Sequence, residues 1–257
     1  MTDSSVARFY DELAADYHRV YGDWDAALVR QGRALDAVLR SALGPGPAEV
    51  LDCACGIGTQ ALGLALCGHR VTGTDLSPAA VERAGREALR RGLELPARVT
   101  DMRELPFEDG TFDAVVCADN SLPHLLTAAD VRAALGEMRR VLRPGGLLLL
   151  STRPYDELRR TRPPSTAPQV HGSGPGRTVT FQLWDWHPDG ERYDLEHYQL
   201  TGEAEQWRVA VRRATYWALT RGELTAFAAE AGFTGADWLA PGQSGFFQPL
   251  LTARVPG

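Results

Sequence analysis

Hydrophobic and polar positions divide the chain into short segments whose periods predict alternating helices and strands. Apolar side chains recur at helical spacing over 5–18, after a capping Ser4 or Ser5, and again over 24–42. From residue 48 onward, short apolar runs alternate with further helical patterns. The runs predict parallel strands at 48–53, 70–74, 97–100, 112–117 and 146–152. The patterns between them predict helices, joined in right-handed crossovers, at 59–67, 78–91 and 128–142.

Beyond this alternation the pattern changes twice. Residues 156–177 are rich in Pro, Ser and Gly and have no period, which predicts a mobile surface segment without regular structure. Residues 178–217 alternate with a period of two, and turn-forming sequences divide them into antiparallel strands at 178–187, 192–200 and 206–216. The remaining pattern predicts a helix at 221–231, opened by a capping box at Thr220, and strands at 234–239 and 246–254.

Two glycines, one residue apart, follow the first buried strand. In the run Asp52-Cys53-Ala54-Cys55-Gly56-Ile57-Gly58, the strand ends in a carboxylate and a tight turn leads into a helix. Glycine has no Cβ, so the backbone can approach a ligand closely at these positions. The first turn of the helix offers unpaired N–H groups beside that ligand. The sequence therefore predicts a small-molecule site at this turn.

Charge favours one of two ligands that the glycine turn could hold. The turn fits the dinucleotide pattern G-x-G-x-x-G/A, and the acidic Asp75, about twenty residues later, would hold a ribose in either case. Asp52, however, directs a carboxylate toward the place of a pyrophosphate, and no Arg or Lys occurs from Asp52 through His69. A cofactor that carries an ammonium and a sulfonium suits such a site better than one with two phosphates. This favours S-adenosylmethionine and leaves an NAD-dependent oxidoreductase as a distant alternative.

Five ordered blocks of sequence resemble the motif series of class I S-adenosylmethionine-dependent methyltransferases. They are LDCACGIGT, VTGTDLS, VTDMRELPF, FDAVVCADNSLPHL and MRRVLRPGGLLLLSTRPYD. Within that superfamily, Asn120-Ser121 with His124, and Arg153 with Tyr155-Asp156, are similar to the glycine/sarcosine N-methyltransferase group.

Pattern and resemblance together imply an α/β fold of the Rossmann-like type. We expect a doubly wound, mostly parallel sheet with helices on both faces, a C-terminal antiparallel hairpin and an inserted antiparallel β cap. The chain then forms a single domain. Its parts are N-terminal lid helices at 1–47, a cofactor-binding core at 48–155, an inserted substrate cap at 156–217, and a closing helix and hairpin at 218–257.

The resemblance assigns cofactor contacts to particular residues. Asp75 is expected to accept hydrogen bonds from both ribose hydroxyls, Asp101 to accept one from the adenine amino group, and Met102 to pack on the adenine ring. Asp52 would lie near the ammonium of the methionine portion, and Arg30 would bind its carboxylate. Further expected cofactor residues are Tyr17, Ala54, Gly56, Gly58, Leu76, Ala118 and Asp119.

Arg153 is the most informative candidate for the methyl acceptor. It follows an otherwise apolar strand, and its guanidinium can bind a carboxylate through two hydrogen bonds; pairing with Asp156 or Glu157 is the alternative. In the resembled enzymes an Asn that matches Asn120 contacts the amine, and His124 could take the proton that an amine must lose. The expected catalytic residues are Asn120, His124 and Arg153, and the expected substrate-binding residues add Tyr21, Trp24, Tyr155 and Trp184.

These residues suggest in-line transfer of a methyl group to a small amine or amino acid, such as glycine or sarcosine, without a metal. Asp119 precedes Asn120 where the glycine enzymes usually carry a small residue, which weakens the case for glycine itself. O- or C-methylation of a natural-product intermediate and a non-catalytic S-adenosylmethionine-binding protein stay open.

Composition adds limits to this hypothesis. The net charge of −6 argues against nucleic acid as a partner, because phosphate binding needs a basic face. No apolar run approaches the roughly 20 residues that span a bilayer, and the acidic, amphipathic N-terminus is unlike a signal peptide. We therefore expect a cytoplasmic protein, either a monomer or a homo-oligomer. The four cysteines lack zinc-site spacing and suit a reducing compartment.

Overall fold

The secondary structure follows the predicted alternation. The computed structural model describes residues 3–173, 176–203 and 206–257, with side chains from residue 5 onward. Its helices are α1 (Asp3–Ala14), α2 (Trp24–Leu43), α3 (Thr59–Leu66), α4 (Pro78–Arg90), α5 (Ala128–Val141), α6 (Tyr155–Thr161), α7 (Arg221–Glu230) and α8 (Pro241–Ser244). Its strands are β1 (Glu49–Asp52), β2 (Arg70–Asp75), β3 (Ala97–Val99), β4 (Phe112–Cys117), β5 (Leu142–Ser151), β6 (Gln169–His171), β7 (Thr178–Trp186), β8 (Arg192–Glu203), β9 (Gln206–Trp217), β10 (Thr234–Leu239) and β11 (Leu250–Arg254).

A seven-stranded sheet has the strand order β10-β11-β5-β4-β1-β2-β3. Neighbours from β3 to β5 pair in parallel, whereas β11 pairs with β5 and β10 in antiparallel fashion. The inner strands are apolar on both sides because each side packs on helices, and separate clusters of buried residues lie on the two faces. The order reverses between β1 and β4, where open α/β sheets bind ligands at the carboxyl ends of their strands. The expected Rossmann-like fold is confirmed.

Helix α2 lies unusually close to α3. A Cβ atom on Gly32 would lie 2.4 Å from backbone atoms of Gly63, so the two helices touch through backbone. Trp24 at the start of α2 donates a hydrogen bond from Nε1 to Thr59 Oγ1, over 2.9 Å. These contacts hold the helix that follows the glycine turn against α2.

The antiparallel strands β6-β7-β8-β9 form a second sheet, which we call the cap. The central strand β8 pairs with β7 without a break in register, from the Thr178–Thr201 pair to the Trp186–Tyr193 pair. On its other side β8 pairs with β9, also without a break. One face buries Trp184, Tyr193 and Tyr216, which pack with Phe9 and Leu13 of α1. The expected inserted β cap is present, and α1 packs between its strand β9 and helix α4.

Two expectations about segment limits are wrong. Helix α1 begins at Asp3 and ends at Ala14 instead of spanning 5–18 after a capping serine, and a 3-10 turn at Tyr17–Val20 follows. Residues 156–177 are not irregular throughout, since they contain most of α6 and all of β6; residues 174–175 lie outside the described residues. Helix α6 is stabilised by Arg159, whose Nε donates to the Ala218 carbonyl over 2.7 Å.

Two strand limits also differ from expectation. Strand β5 begins four residues before the predicted 146, because Leu142 pairs with Phe112 ahead of the apolar run. Strand β11 begins only at Leu250, and the preceding Gln248 uses its side chain to hydrogen-bond Ser151 instead. Within the described residues, no helix is both long enough and apolar enough to cross a membrane.

Candidate active site

The glycine turn has the geometry that close approach of a ligand requires. Gly56 and Gly58 have φ angles of 52° and 94°, in the left-handed region that disfavours side chains. Gly58 precedes α3, and a Cβ there would lie 3.0 Å from Leu62. The backbone N–H of Gly56 donates to Asp75 Oδ2 over 2.8 Å, so the turn is tied to the end of β2.

A cleft opens at the carboxyl ends of the parallel strands, beside this turn. Eight of its lining residues were expected to bind the cofactor: Tyr17, Ala54, Gly56, Asp75, Leu76, Asp101, Met102 and Asp119. His124, expected as a catalytic base, also lines it. The lining residues that sequence reasoning missed are Val6, Tyr10, Cys53, Cys55, Thr59, Gln60, Thr100, Ser121 and Leu125. Val6 and Tyr10 come from α1 and had no motif to mark them.

The cleft carries a negative charge of the kind that suits a cationic cofactor. Asp52 is 1% exposed, and its Oδ2 has no hydrogen-bond partner among the described residues. Burial, together with the charge of the nearby Asp75, raises the pKa of Asp52 to about 7. An ammonium close by would stabilise the ionised form of this carboxyl group. An orphaned buried acid therefore fits the amino group of S-adenosylmethionine better than it fits a pyrophosphate.

Asp75 and Asp101 differ in how they are held. Asp75 accepts backbone hydrogen bonds from Gly56 and from Ser77, the latter over 2.9 Å at Oδ1, so its carboxylate has a fixed orientation in the cleft. Burial raises the pKa of Asp75. For Asp101, burial acts in the same direction, but hydrogen bonds from Arg103 outweigh it and lower the pKa of the carboxyl group. Arg103 Nη2 lies 2.6 Å from Asp101 Oδ2, a pairing that the expected adenine contact did not include.

Six expected cofactor or substrate residues do not line the cleft or the neighbouring cavity: Trp24, Arg30, Asp52, Gly58, Ala118 and Tyr155. Arg30 is exposed on α2, which does not fit a partner for the methionine carboxylate. Trp24 is buried between α2 and α3, where it bonds Thr59. Gly58 and Ala118 shape the backbone next to the cleft without lining it. Helical position alone could not tell which face of α2 points to the sheet.

A larger cavity of about 640 Å³ lies between α1, the ends of β4 and β5, and the cap. It shares Tyr10, Tyr17 and Asp119 with the cleft, so the two spaces meet at these residues. The cavity is lined by Phe9, Tyr10, Leu13, Tyr17, Val20, Tyr21, Asp119, Asn120, Arg153, Pro154, Leu158, Thr166, Ala167, Gln169, Thr180, Phe181, Gln182, Trp184, Leu195, His197, Tyr216 and Phe247. Six residues that were expected from sequence to bind the acceptor or the cofactor lie among them: Tyr17, Tyr21, Asp119, Asn120, Arg153 and Trp184.

Arg153 extends its guanidinium into an aromatic part of this cavity. Nη1 donates to Tyr193 Oη over 2.9 Å, and Nη2 donates to Gln182 Oε1 over 3.1 Å. The guanidinium carbon lies 4.9 Å from the ring centre of Trp184. Among the described residues, no carboxylate is within ion-pair distance of Arg153. The alternative pairing with Asp156 is wrong, since Asp156 binds Arg221 instead.

Asp119 occupies the junction of the two spaces in a strained conformation. Its φ angle is 54°, that of Asn120 is 68°, and non-glycine residues in this region are found mainly where function or a tight turn requires them. Asp119 accepts hydrogen bonds from Tyr17 Oη over 3.1 Å, Tyr21 Oη over 3.4 Å and Gln248 Nε2 over 3.3 Å. Burial raises the pKa of Asp119 to about 6, although these donors partly oppose that effect.

The neighbouring Asn120 is 3% exposed and joins the strand ends. Its Oδ1 accepts a hydrogen bond from the backbone of Arg153 over 3.2 Å. Its Nδ2 has no partner among the described residues, so an amide donor stays available within the larger cavity, where a methyl acceptor could bind. Two side chains from the end of β4, an acid and an amide, thus stand at the meeting point of the cleft and the cavity.

His124 and Tyr155 lie elsewhere than the predicted mechanism needs. His124 lines the cleft rather than the acceptor cavity, and its Nε2 is 2.8 Å from Tyr10 Oη. Burial, together with the positive charge of Arg153, lowers the pKa of His124 to about 3, so the imidazole is a weak proton acceptor. Tyr155 is 1% exposed and does not line the cavity; its hydroxyl bonds Tyr193 Oη over 3.0 Å, behind Arg153.

The geometry agrees with what known proteins show. A family model described as a methyltransferase domain matches residues 50–146. The chain is 34% identical over 234 residues to YqeM of Bacillus subtilis, a protein assigned to the methyltransferases, which covers 84% of this chain and 87% of that protein. The chain therefore belongs to the class I S-adenosylmethionine-dependent methyltransferases.

Two further relatives are named for their acceptors. A glycine/sarcosine N-methyltransferase of Parasynechococcus marenigrum is 35% identical over 158 residues, 61% of this chain and 55% of that enzyme. The structure of S-adenosylmethionine-bound CalS10, an amino pentose methyltransferase from Micromonospora echinaspora, is 25% identical with a TM-score of 0.70, covering 88% of this chain and 91% of that one. The chain spans about half the length of several curated relatives that it matches, the glycine/sarcosine enzyme among them.

Proposed function

We propose that this protein transfers the methyl group of S-adenosylmethionine to the nitrogen of a small amine that also carries an anionic group. One observation carries the proposal: the cofactor cleft and the acceptor cavity meet at the carboxylate of Asp119, while Arg153 supplies a cation without a carboxylate partner in the same cavity. Among the described lining residues of that cavity, these two carry the formal charges. An acceptor with an ammonium and an anion complements both.

The cleft residues divide the cofactor between them in this proposal. Asp75 would accept hydrogen bonds from the ribose hydroxyls, and Met102 would pack on the adenine. Asp52, which is buried behind the lining residues Cys53 and Ala54, would stabilise the ammonium through its charge. The cofactor supplies an electrophilic methyl group on a sulfonium. The chain's own contribution is to hold the acceptor nitrogen in line with that methyl, since positioning provides most of the acceleration in such a displacement.

Nitrogen fits the junction better than oxygen does. An ammonium must lose one proton before its nitrogen can attack, and the Asp119 carboxylate, whose pKa is about 6, can accept that proton. A remaining N–H of the amine can then donate a hydrogen bond to Asp119, which leaves the lone pair free to face the methyl group. The Nδ2 of Asn120 can donate a hydrogen bond to an oxygen of the acceptor. A hydroxyl acceptor would need a strong base to ionise, and the pKa of His124, about 3, does not provide one. The names of the N-methyltransferase of glycine and sarcosine and of the amino pentose enzyme also support an amine.

The cavity is large for glycine. Its volume of about 640 Å³ compares with a share of roughly 30 Å³ per water in the liquid, so it has room for on the order of twenty waters. A five-atom amino acid would leave most of that space filled with solvent. We therefore expect an acceptor that is larger than glycine or sarcosine.

An acceptor screen tests the proposal directly. Purified protein with S-adenosylmethionine is incubated with glycine, sarcosine, larger amino acids, amino sugars and phenols, and release of S-adenosylhomocysteine is measured with product masses. We expect turnover with an amine larger than glycine, and the added methyl on nitrogen. Methylation of phenols alone would identify an O-methyltransferase and contradict the nitrogen assignment.

A further inference from the structure

The cap contributes a wall of neutral polar side chains to the acceptor cavity. The cavity is lined by Thr180 and Gln182 of β7 and by His197 of β8. It is also lined by Thr166, which precedes β6, and by Gln169, the first residue of β6. We call these five residues the cap wall. Each carries hydrogen-bonding atoms, and none is an acid, an arginine or a lysine.

Sheet register explains why these side chains share one face. Gln182 lies directly opposite His197 in the antiparallel β7–β8 pair, and Thr180 is two residues from Gln182 on the same strand. Residues two apart on a strand point to the same side of a sheet. Thr180 is 5% exposed and His197 is 6% exposed, so these two members of the wall are buried, whereas Thr166 and Gln182 are half-buried and Gln169 is exposed.

His197 is the unsatisfied member of the cap wall. Among the described residues, its Nε2 has no hydrogen-bond partner. Burial, together with the positive charges of Arg212 and Arg153, lowers the pKa of His197 to about 4, so the imidazole is neutral near pH 7. Leaving a buried polar nitrogen unpaired costs free energy that a ligand can recover by supplying the missing hydrogen bond.

The chemistry of the wall selects among possible partners for that nitrogen. A buried ion would need a counter-charge, which the cap wall does not supply. A hydroxyl both donates and accepts, so it can satisfy an imidazole, a threonine or a glutamine. Trp184 and Tyr216 add aromatic surface to the same cavity, against which the C–H groups of a polyol can pack.

Building on the proposed function, we infer that the cap wall is a hydroxyl-binding subsite and that the acceptor is a polyhydroxylated amine. In this arrangement Asp119 binds the amine, Arg153 binds the anionic group, and His197 binds a hydroxyl of the remaining carbon chain. His197 is then a specificity-determining residue, because it discriminates between acceptors whose reacting ends are the same.

Two acceptors with identical reacting ends test this subsite. Glucosaminate (2-amino-2-deoxygluconate) and norleucine (2-aminohexanoate) share a six-carbon chain, an amine and a carboxylate, and differ in four hydroxyls. Each is titrated calorimetrically into the protein saturated with S-adenosylhomocysteine. We expect wild-type protein to bind glucosaminate at least about tenfold more tightly than norleucine, as two or more net hydrogen bonds would give.

Variants then locate the source of the preference. His197→Leu should weaken glucosaminate binding at least about fivefold and leave norleucine within twofold, and Thr180→Val should act in the same direction. His197→Gln should retain part of the preference. Tyr198→Phe, on the outer face of the same strand, is the matched control and should change neither affinity.

Equal affinities for the two compounds, affinity for neither, or a preference that survives His197→Leu would overturn the subsite. The outcome is separable from that of the proposed function, because methyl transfer is measured independently. Hydroxyl-dependent binding without turnover would contradict methyl transfer alone, and turnover of both compounds without a preference would contradict the subsite alone.

Discussion

Buried acids govern how the site responds to pH. The pKa of Asp52 is about 7 in the folded protein because of burial, whereas an unfolded Asp has a pKa near 4. The folded state therefore binds an extra proton between about pH 4 and pH 7. Stability is fully present below this range and falls as pH rises through it, by on the order of 2–4 kcal/mol.

Replacing Asp52 should reverse this effect and expose its role toward the cofactor. We expect Asp52→Asn to raise the unfolding midpoint of the ligand-free protein at pH 8 but not at pH 4, because no buried charge then has to form. In wild-type protein, affinity for S-adenosylmethionine should increase severalfold from pH 6 to pH 8. In Asp52→Asn, most of that increase should be absent. Thermal unfolding and calorimetry measure both effects. An identical pH dependence in the two proteins would show that the charge of Asp52 does not contribute to cofactor affinity.

Arg153 should matter for the acceptor and not for the cofactor. We expect Arg153→Ala to raise KM for an anionic amine at least about tenfold, since a charge-assisted hydrogen bond is lost. Binding of S-adenosylhomocysteine should stay within about twofold. Arg221→Ala removes an arginine whose partner is Asp156 at the surface and is the matched control. Loss of cofactor affinity in Arg153→Ala would assign the residue to the scaffold instead.

The charged residues of the site could be identified from the sequence where each one lies at the end of a predicted strand. Asp52, Asp75 and Arg153 each follow an apolar strand, and the carboxyl ends of parallel strands meet at one edge. Burial on α2 was not predictable in the same way, because its helical pattern does not say whether Arg30 or Gln31 faces the sheet. Gln31 is the buried one, and its Oε1 accepts a hydrogen bond from Gln60 over 2.7 Å.

At the level of elements, α1 closes the cleft and the acceptor cavity together. Its Tyr10 lines both spaces and reaches His124. The helix is anchored to the start of α4, where Asp11 Oδ1 accepts hydrogen bonds from Ser77 Oγ over 2.5 Å and from the Ala79 N–H over 3.1 Å. A carboxylate at a helix N-terminus is favourable because of the free N–H groups and the helix dipole.

Weakening that anchor should loosen α1. We expect Asp11→Ala to accelerate hydrogen exchange across α1 and to speed dissociation of S-adenosylhomocysteine several-fold, as the loss of two hydrogen bonds to a charged group implies. Glu12→Gln, which removes a neighbouring exposed carboxylate, serves as the control. Unchanged exchange and dissociation in Asp11→Ala would mean that α1 does not gate the cofactor.

Long-range pairing limited what sequence could predict about the elements. The α/β core followed from local periodicity, since each strand and helix carries its own apolar pattern. The contacts of Asp119, at the junction of the cleft and the cavity, could not be predicted in this way. Asp119 accepts hydrogen bonds from Gln248, which is 129 residues away, and from Tyr17, which lies on a 3-10 turn where the end of a helix was predicted. Contacts between distant segments leave no periodic signal.

Across the whole molecule, a negatively lined cleft and a larger cavity meet and form one continuous space, in which we propose that the cofactor and the acceptor bind. The parallel sheet supplies the cleft, and the cap with α1 supplies the cavity. Sequence predicted a cap, but it could not predict which of its faces lines the cavity, because both faces of β7 and β8 carry a mixture of aromatic, apolar and polar residues. The face of the cap that we propose to select the acceptor was therefore not predictable from the sequence.

Calorimetric titration of the wild-type protein with S-adenosylmethionine and with NAD⁺, repeated on Asp75→Ala, shows whether the cleft beside the glycine turn binds a sulfonium cofactor. We expect saturable binding of S-adenosylmethionine that weakens at least about tenfold in the variant, and no binding of NAD⁺. Binding of NAD⁺ that S-adenosylmethionine fails to displace, or an unchanged affinity for S-adenosylmethionine in Asp75→Ala, would contradict this expectation.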